Sequence, residues 1–181
     1  MDRTLILTLI LAAAISGCIS VEVGSSKEET QIESVEVPVT DVVDGDTVDI
    51  RYTGREDTVR LEGIDTPEVH TENDPAEFEG IPNTEDGEQC LADWGENASS
   101  YVKNQISDKN VTLRYEVVEG QPERGSYGRI IGEILHKNVS INRELVVQGY
   151  ARSYSENGPF IAEEAQAQHN RTGLWECRSL S

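Results

Sequence analysis

The sequence of 181 residues predicts an α+β fold. Five runs rich in β-branched residues are bounded by turn residues, which is typical of strands, and three segments repeat apolar residues at helical spacing. Their order is three strands, a helix, two strands and two helices. That order fits a five-stranded OB-fold Greek-key barrel with three packed α-helices, although periodicity by itself supports only α+β and does not select the barrel.

The first 17 residues predict an export signal. Arg3 precedes the apolar run LILTLILAAAI, and small residues separate this run from Cys18. The run is shorter than the roughly 20 residues that span a bilayer, as in secretory signals. The sequence ISGC at 15–18 resembles the lipobox of prokaryotic lipoproteins, in which the peptide is cut before a lipidated cysteine. We therefore expect Cys18 to be lipidated and the protein to be exported and tethered to the membrane; an ordinary signal peptide or an uncleaved anchor is the alternative.

The two remaining cysteines, Cys90 and Cys177, form an even pair. In an exported protein such a pair suggests one disulfide. It would close a long loop and stabilise the domain by about 3–5 kcal/mol. The alternative is two free thiols.

The strands of the first half begin after a polar segment. Residues 18–34 contain Gly and Ser among polar residues and predict a flexible tether, so that the domain is expected at 35–181. The runs VEVPVTDVV, TVDIRY and TVRLEGI follow and predict a three-stranded meander. Asp44-Gly45 and Thr53-Gly54 supply its turns, because Gly tolerates positive φ.

The second half contains one long polar segment and the remaining elements. Residues 69–95 are acidic and poor in β-branched residues, which predicts a long loop. The other elements follow in this order: a helix in NASSYVKNQI from Asn97, strands in VTLRYEVVE from Val111 and RIIGEIL from Arg129, and helices in INRELVVQG from Ile141 and PFIAEEAQAQHNRTG from Pro159.

The formal net charge of −19 restricts the partners that the protein can attract. A strongly acidic surface repels nucleic acid at long range. It suits cation binding or a high-salt habitat, in which charges are screened over a few Å. Any role on nucleic acid must therefore overcome the overall charge.

Three carboxylates lie where the predicted meander brings strand ends together. Asp46 follows the Asp-Gly turn and Asp65 ends the third strand, so the two side chains are expected to converge. Paired carboxylates with backbone carbonyls and water suit Ca²⁺. Glu68 follows Pro67 in a stiffened turn, where a fixed carboxylate can orient or deprotonate water.

Two arginines complete the constellation. Arg60 lies inside the third strand and Arg129 starts the fifth, and both offer fork-shaped donors to a phosphate. Taken alone, Arg60 fits a surface ion pair and Arg129 a charge at a strand edge. Their joint order with the carboxylates favours a site.

Three motifs carry a closer resemblance. DGDT at 44–47, RLEGIDTPE at 60–68 and YGR at 127–129 resemble the motifs of the staphylococcal nuclease (thermonuclease) family. DGDT alone is weak, but the three motifs in this order are specific. The resemblance extends from about Val35 to Trp175.

The resemblance implies a Ca²⁺-dependent nuclease that cleaves phosphodiesters of single-stranded or flexible DNA and RNA and leaves 3′-phosphates; we expect a monomer. The roles that it implies are Asp46 and Asp65 as Ca²⁺ carboxylates, Thr66 as a carbonyl ligand of the metal, Glu68 as general base, Arg60 and Arg129 as the grip on the scissile phosphate, Tyr127 as a residue lining the nucleotide pocket, and Tyr154 as a looser second candidate.

This chain departs from the family before YGR, where Gly125 and Ser126 stand in place of the acidic and basic residues that family members often carry. The departure puts contacts in the nucleotide pocket in question. Two alternatives remain: a nuclease-like binding module without catalysis, and a surface Ca²⁺-binding protein. The first is expected to lose key residues, and the second leaves Arg60 and Arg129 unexplained.

Overall fold

In the part of the chain that the structure describes, five main strands and four short ones build the sheets. The computed structural model describes residues 31–154 and 158–180. The main strands are β1 (Gln31–Val42), β2 (Thr47–Tyr52), β3 (Arg55–Leu61), β5 (Asn110–Val118) and β7 (Ile130–His136), and the short strands are β4 (Ile64–Asp65), β6 (Gln121–Pro122), β8 (Val139–Ser140) and β9 (Arg152–Ser153).

The five main strands close into a barrel. β1, β2 and β3 form the predicted antiparallel meander, and β3 pairs with β7 in parallel. β7 then pairs with β5, and β5 pairs with β1, both antiparallel, which closes the ring. This confirms the α+β, five-stranded OB-fold prediction.

Strand β1 begins earlier than predicted. It starts at Gln31, so the last four residues assigned to the flexible tether belong to the barrel. Their backbone pairs with β5, with Gln31 opposite Val117, while Ile32 remains 60% exposed. Because this pairing is made by the backbone and buries few side chains, the hydrophobic pattern carries no signal of it.

Three α-helices pack outside the barrel, as predicted: α1 (Glu85–Ile106), α2 (Ile141–Val147) and α3 (Ile161–Asn170). Helix α1 begins twelve residues before Asn97, so the prediction of a loop over 69–95 is wrong for its second half. Thr84 caps the helix by accepting a hydrogen bond from the Gly87 backbone N–H at 3.2 Å. Acidic residues in the first turn stabilise the helix, because they lie at the positive end of its dipole. In the sequence they hide the helical pattern, because acidic residues are also typical of loops.

A second hydrophobic core lies beside the barrel, where α1 meets the C-terminal segment. It includes Phe78, Leu91 and Trp175, all buried. The disulfide Cys90–Cys177 joins its two sides with a Cα–Cα distance of 6.0 Å. The C-terminal segment is thus fixed to α1.

The predicted signal segment and Cys18 lie outside the described residues. Among the helices that the structure describes, none is both long enough and apolar enough to cross a membrane.

Candidate active site

The turn between β1 and β2 presents the first carboxylate. Asp44 accepts a hydrogen bond from the Asp46 backbone N–H at 3.1 Å, and the backbone N–H of Val43 donates to the carbonyl of Thr47 at 3.0 Å. This tight turn directs Asp46 inward, and the residue is only 1% exposed.

Gly45 serves this turn in a different way from the one predicted. Gly54, in the β2–β3 turn, has φ of +82°, but Gly45 is not among the positive-φ glycines of the described residues. A Cβ at Gly45 would lie 2.8 Å from both Ala98 Cβ and Thr66 Oγ1. Gly45 is therefore required for the close approach of α1 and Thr66, not for its backbone conformation.

Asp46 is linked to the segment after β4. One of its oxygens, Oδ2, accepts hydrogen bonds from the backbone N–H of Thr66 at 3.0 Å and from the Thr66 hydroxyl at 3.2 Å. Its other oxygen accepts from the Thr47 hydroxyl at 3.1 Å. These bonds hold Asp46 and the residues around Asp65 in one fixed arrangement.

Arg60 lies between the two predicted metal carboxylates. The β2–β3 register places it opposite Thr47, next to Asp46. Its guanidinium forms ion pairs with Asp46 and with Asp65, the latter at 2.5 Å. Asp65 is 8% exposed, so the structure brings both buried carboxylates to the one guanidinium for which the sequence suggested a phosphate ligand.

Arg152 also contacts Asp65, and sequence analysis assigned it no role. It lies on β9 directly opposite Asp65 on β4. Its Nε and Nη2 donate to Asp65 Oδ2 at 3.0 Å and 2.9 Å. Its guanidinium also pairs with Glu77 at 3.3 Å and lies 5.2 Å from the centre of the Phe78 ring.

Glu68 is held by its backbone. Its N–H donates to Asn73 Oδ1 at 2.7 Å, and its carbonyl accepts from Asn73 Nδ2 at 3.0 Å. Asn73 was also missed, because an asparagine in a polar segment gives no signal of this clamp. Gly95 of α1 supports the same turn, since a Cβ there would lie 2.7 Å from the Pro67 carbonyl oxygen.

The carboxyl of Glu68 combines a raised pKa with exposure to solvent. Partial burial on the cleft side, followed by repulsion from Asp44 and Asp65, raises its pKa, and Arg60 opposes this shift. The residue as a whole remains exposed. A carboxyl with a raised pKa that solvent can reach is a suitable general base.

Glu68 shares a cleft of about 450 Å³ with the remaining predicted residues, Arg60, Arg129, Tyr127 and Tyr154. Tyr127 and Tyr154 are 83% and 65% exposed. Exposed aromatic rings on a cleft wall can stack on nucleobases.

Arg129 lines the cleft, and in the described structure it forms no ion pair with Asp46 or Asp65. Its Nη1 donates to the Thr47 hydroxyl at 3.4 Å, and its guanidinium lies 5.5 Å from the centre of the Tyr127 ring. Compared with Arg60, it is available to an incoming anion.

A further arginine, which sequence analysis also missed, shapes the loop that carries Tyr127. Arg124 pairs with Asp57 of β3 through two nitrogens, at 3.0 Å and 2.7 Å. The same side chain donates to the carbonyl of Gly128 at 2.6 Å. The loop containing Gly125 and Ser126 is therefore fixed to the barrel.

The donor set fits a hard cation. Among residues 31–154 and 158–180, no three or more His, Cys, Asp or Glu side chains are grouped to hold a metal ion. The two carboxylates that converge on Arg60 nevertheless supply the oxygen chemistry that Ca²⁺ prefers. Asp46, Asp65 and the Thr66 carbonyl would hold it, with water completing the shell.

A closed barrel with an acidic pair beside a cleft that carries Arg129 and aromatic walls defines an OB-fold protein suited to an anionic, base-bearing ligand. The family model described as "Staphylococcal nuclease homologue" matches residues 58–177. The chain belongs to this family.

Proteins of several organisms are similar to this chain over most of its length. An uncharacterised protein of Methanocaldococcus jannaschii is 35% identical over 76% of this chain and 70% of its own length. The thermonuclease of Staphylococcus intermedius is 28% identical over 95% of both chains. Endonuclease YncB of Bacillus subtilis is 26% identical over 84% of this chain and 67% of its own length.

Proposed function

We propose that this protein is a nuclease that hydrolyses phosphodiester bonds in DNA and RNA, uses Ca²⁺ and leaves 3′-phosphates. One observation carries the proposal: the described structure gathers Asp46, Arg60 and Asp65 into one cluster, beside a cleft shared by Glu68 and Arg129. The names of the thermonuclease and endonuclease relatives support the same reaction class.

The arginines fit the charge that develops in this reaction. Attack of water on a phosphodiester builds negative charge on the equatorial oxygens of phosphorus, and preorganised cations stabilise that charge. Arg129 and Arg60 both line the cleft. When bound, Ca²⁺ would supply further positive charge at the same oxygens.

Glu68 is the group that would take the proton from the attacking water, while the P–O5′ bond breaks and the leaving 5′-oxygen takes a proton from solvent. Its carboxyl lines the cleft with the two arginines, and the Asn73 clamp fixes its backbone. The flanking rings of Tyr127 and Tyr154 suit a strand whose bases are unpaired, which favours single-stranded or flexible substrates.

The same proposal places the protein outside the cytoplasm as a membrane-tethered monomer. The lipobox-like ISGC supports export and lipidation of Cys18. The disulfide Cys90–Cys177 supports an oxidising compartment.

The experiment is cleavage of a single-stranded oligodeoxynucleotide by the full chain, in Ca²⁺ and in EDTA, with analysis of the product ends. Glu68→Gln and Arg129→Ala are compared with the parent. The matched control is Arg51→Ala, which removes an exposed arginine paired with Glu56 on the far hairpin. Arg129→Ala is preferred to Arg60→Ala because losing Arg60 leaves buried carboxylates unpaired.

We expect cleavage that requires Ca²⁺, yields 3′-phosphates and falls by roughly 10³-fold in Arg129→Ala, the scale of arginine-finger losses. Arg51→Ala should cleave at the parent's rate. Ca²⁺ and oligonucleotide binding with no cleavage under any condition would instead establish a nuclease-like binding module.

A further inference from the structure

We infer that Arg152 is a positioning residue for the metal site: it fixes the orientation of Asp65 and connects that carboxylate to the disulfide-bonded second core. The inference rests on the proposed function, since it concerns Ca²⁺ binding by Asp65. It adds a residue to which neither the sequence motifs nor the relatives assign a role.

Two arginines hold the carboxylate of Asp65. Both donors of Arg152, Nε and Nη2, converge on the single oxygen Oδ2. Arg60 contacts the other oxygen, Oδ1. The carboxylate is thus held by two guanidiniums, one on each oxygen, and Arg152 holds the oxygen that Arg60 does not contact.

Arg152 is itself held in place by its neighbours. Its backbone pairs with Asp65 through the β4–β9 ladder, and its guanidinium is held by Glu77 and lies over the Phe78 ring. About one fifth of the side chain is exposed. A partly buried arginine with partners on several sides has little rotamer freedom left to lose, so it can impose its geometry on Asp65.

Phe78 links Arg152 to the second hydrophobic core. Phe78, under the guanidinium, packs in the cluster that contains Trp175 and the buried Cys177. The disulfide joins the α1 side of this cluster to its C-terminal side, and α1 packs closely against Pro67 through Gly95. Both ends of the segment between Asp65 and Phe78 are therefore supported by the same disulfide-bonded unit.

Residues that orient metal ligands from outside commonly change metal affinity by 10–100-fold when removed. The charge of Arg152 acts in the opposite direction, because a cation beside Asp65 repels Ca²⁺. Positioning and simple charge repulsion therefore predict opposite signs for Arg152→Ala, which makes the inference decidable.

The experiment is calorimetric Ca²⁺ titration of the full chain, without nucleic acid, for the parent, Arg152→Ala and Arg152→Lys. The control is Arg143→Ala, which removes an arginine paired with Glu163 between α2 and α3. Thermal unfolding is recorded for each variant so that titrations are made below its transition.

We expect the Ca²⁺ Kd of Arg152→Ala to rise about 10-fold or more, with Arg143→Ala unchanged. Arg152→Lys keeps the charge but loses the two-donor fork, so its Kd should lie between those of the parent and the alanine variant. If the alanine variant does not fold, the lysine variant decides alone.

Unchanged or tighter Ca²⁺ binding by Arg152→Ala, or a lysine variant equal to the parent, would overturn the positioning role while the proposed nuclease stands. A parent that binds no Ca²⁺ would refute the metal proposal and this inference with it. The two failures are thus distinguished in one titration series.

Discussion

At the scale of single residues, the buried acids of this site are matched by two arginines, Arg60 from nearby in the chain and Arg152 from a distant part of it. Asp46 is fixed by Thr66 and Arg60, whereas Asp65 is shared between Arg60 and Arg152. A buried carboxylate without such partners would be costly. The arginines therefore explain how the fold tolerates two buried acids side by side.

Sequence reasoning found the members of this cluster that lie near one another in the chain. Asp46 and Arg60 fall within one meander, whose pairing follows from its turns, and Asp65 follows shortly after it on β4 rather than at the end of the third strand as predicted. Arg152 lies 87 residues from Asp65 in sequence, and the two-residue strands that pair them have no periodicity to detect. The local sequence pattern thus predicted the two aspartates and Arg60, whereas Arg152 reaches the site only through the tertiary pairing of β4 with β9.

Glu62→Gln should stabilise the protein at pH 7. Partial burial, then repulsion from Glu116, Glu123 and Glu133, raises the pKa of Glu62, although Arg114 offsets part of this. A protein loses stability through a carboxyl whose pKa is higher in the folded than in the unfolded state. The loss occurs as the pH rises from the unfolded-state pKa through the folded-state pKa. At pH 7 the charged form therefore destabilises the fold.

The expected gain is less than about 1 kcal/mol, because the residue is exposed and solvent screens it. Urea unfolding of Glu62→Gln and the parent at pH 7 and at pH 3 measures it. The difference should vanish at pH 3, where the parent's carboxyl is protonated. A variant that is less stable than the parent at pH 7 would contradict the electrostatic explanation.

At the scale of elements, loops fixed to the barrel by arginines carry the cleft. The strands and helices were predicted well because their apolar faces pack on the core. The start of α1 was not, because its first turns, EDGEQ, resemble a polar loop until Thr84 is seen to cap them. The loop at 125–128 is similar: its composition suggested weak nucleotide contacts, but Arg124 anchors it.

Arg124→Ala should weaken substrate binding more than it slows catalysis. Losing the bonds to Asp57 and Gly128 frees the loop that carries Tyr127, and a stacked base contributes about 1–3 kcal/mol. We expect KM for a single-stranded oligodeoxynucleotide to rise roughly 5-fold or more, with kcat within about twofold of the parent.

Steady-state kinetics beside Arg51→Ala measure this split. A large fall in kcat at constant KM would show that the loop acts in the transition state. Unchanged kinetics would show that the Arg124–Asp57 pair is a surface ion pair without a role in the cleft.

At the scale of the whole molecule, an acidic body surrounds a cleft in which two arginines lie among acidic side chains. The net charge is −19, yet Arg129 and Arg60 face the cleft. The disulfide and the second core hold the C-terminal segment against α1, next to the elements that carry Glu77 and Phe78. Nothing in the sequence pattern alone shows that this core supports the site, because its parts are far apart in the chain.

The acidic surface should give substrate binding an unusual dependence on salt. Many lysine–phosphate contacts make affinity fall steeply with salt, but here added salt screens long-range repulsion. We expect the affinity of the catalytically impaired Glu68→Gln variant for a single-stranded oligonucleotide, measured in Ca²⁺, to stay level or improve from low to moderate salt. A steep loss of affinity over that range would contradict this electrostatic account.

The central claim, that these residues form a Ca²⁺-dependent nuclease site, is tested most directly by the initial rate of single-stranded DNA cleavage by the full chain in Ca²⁺ and in EDTA. Arg129→Ala and Arg51→Ala are measured beside the parent. The account predicts cleavage only in Ca²⁺, about 10³-fold slower in Arg129→Ala and unchanged in Arg51→Ala. Equal rates in Ca²⁺ and EDTA, or an Arg129→Ala variant as fast as the parent, would contradict it.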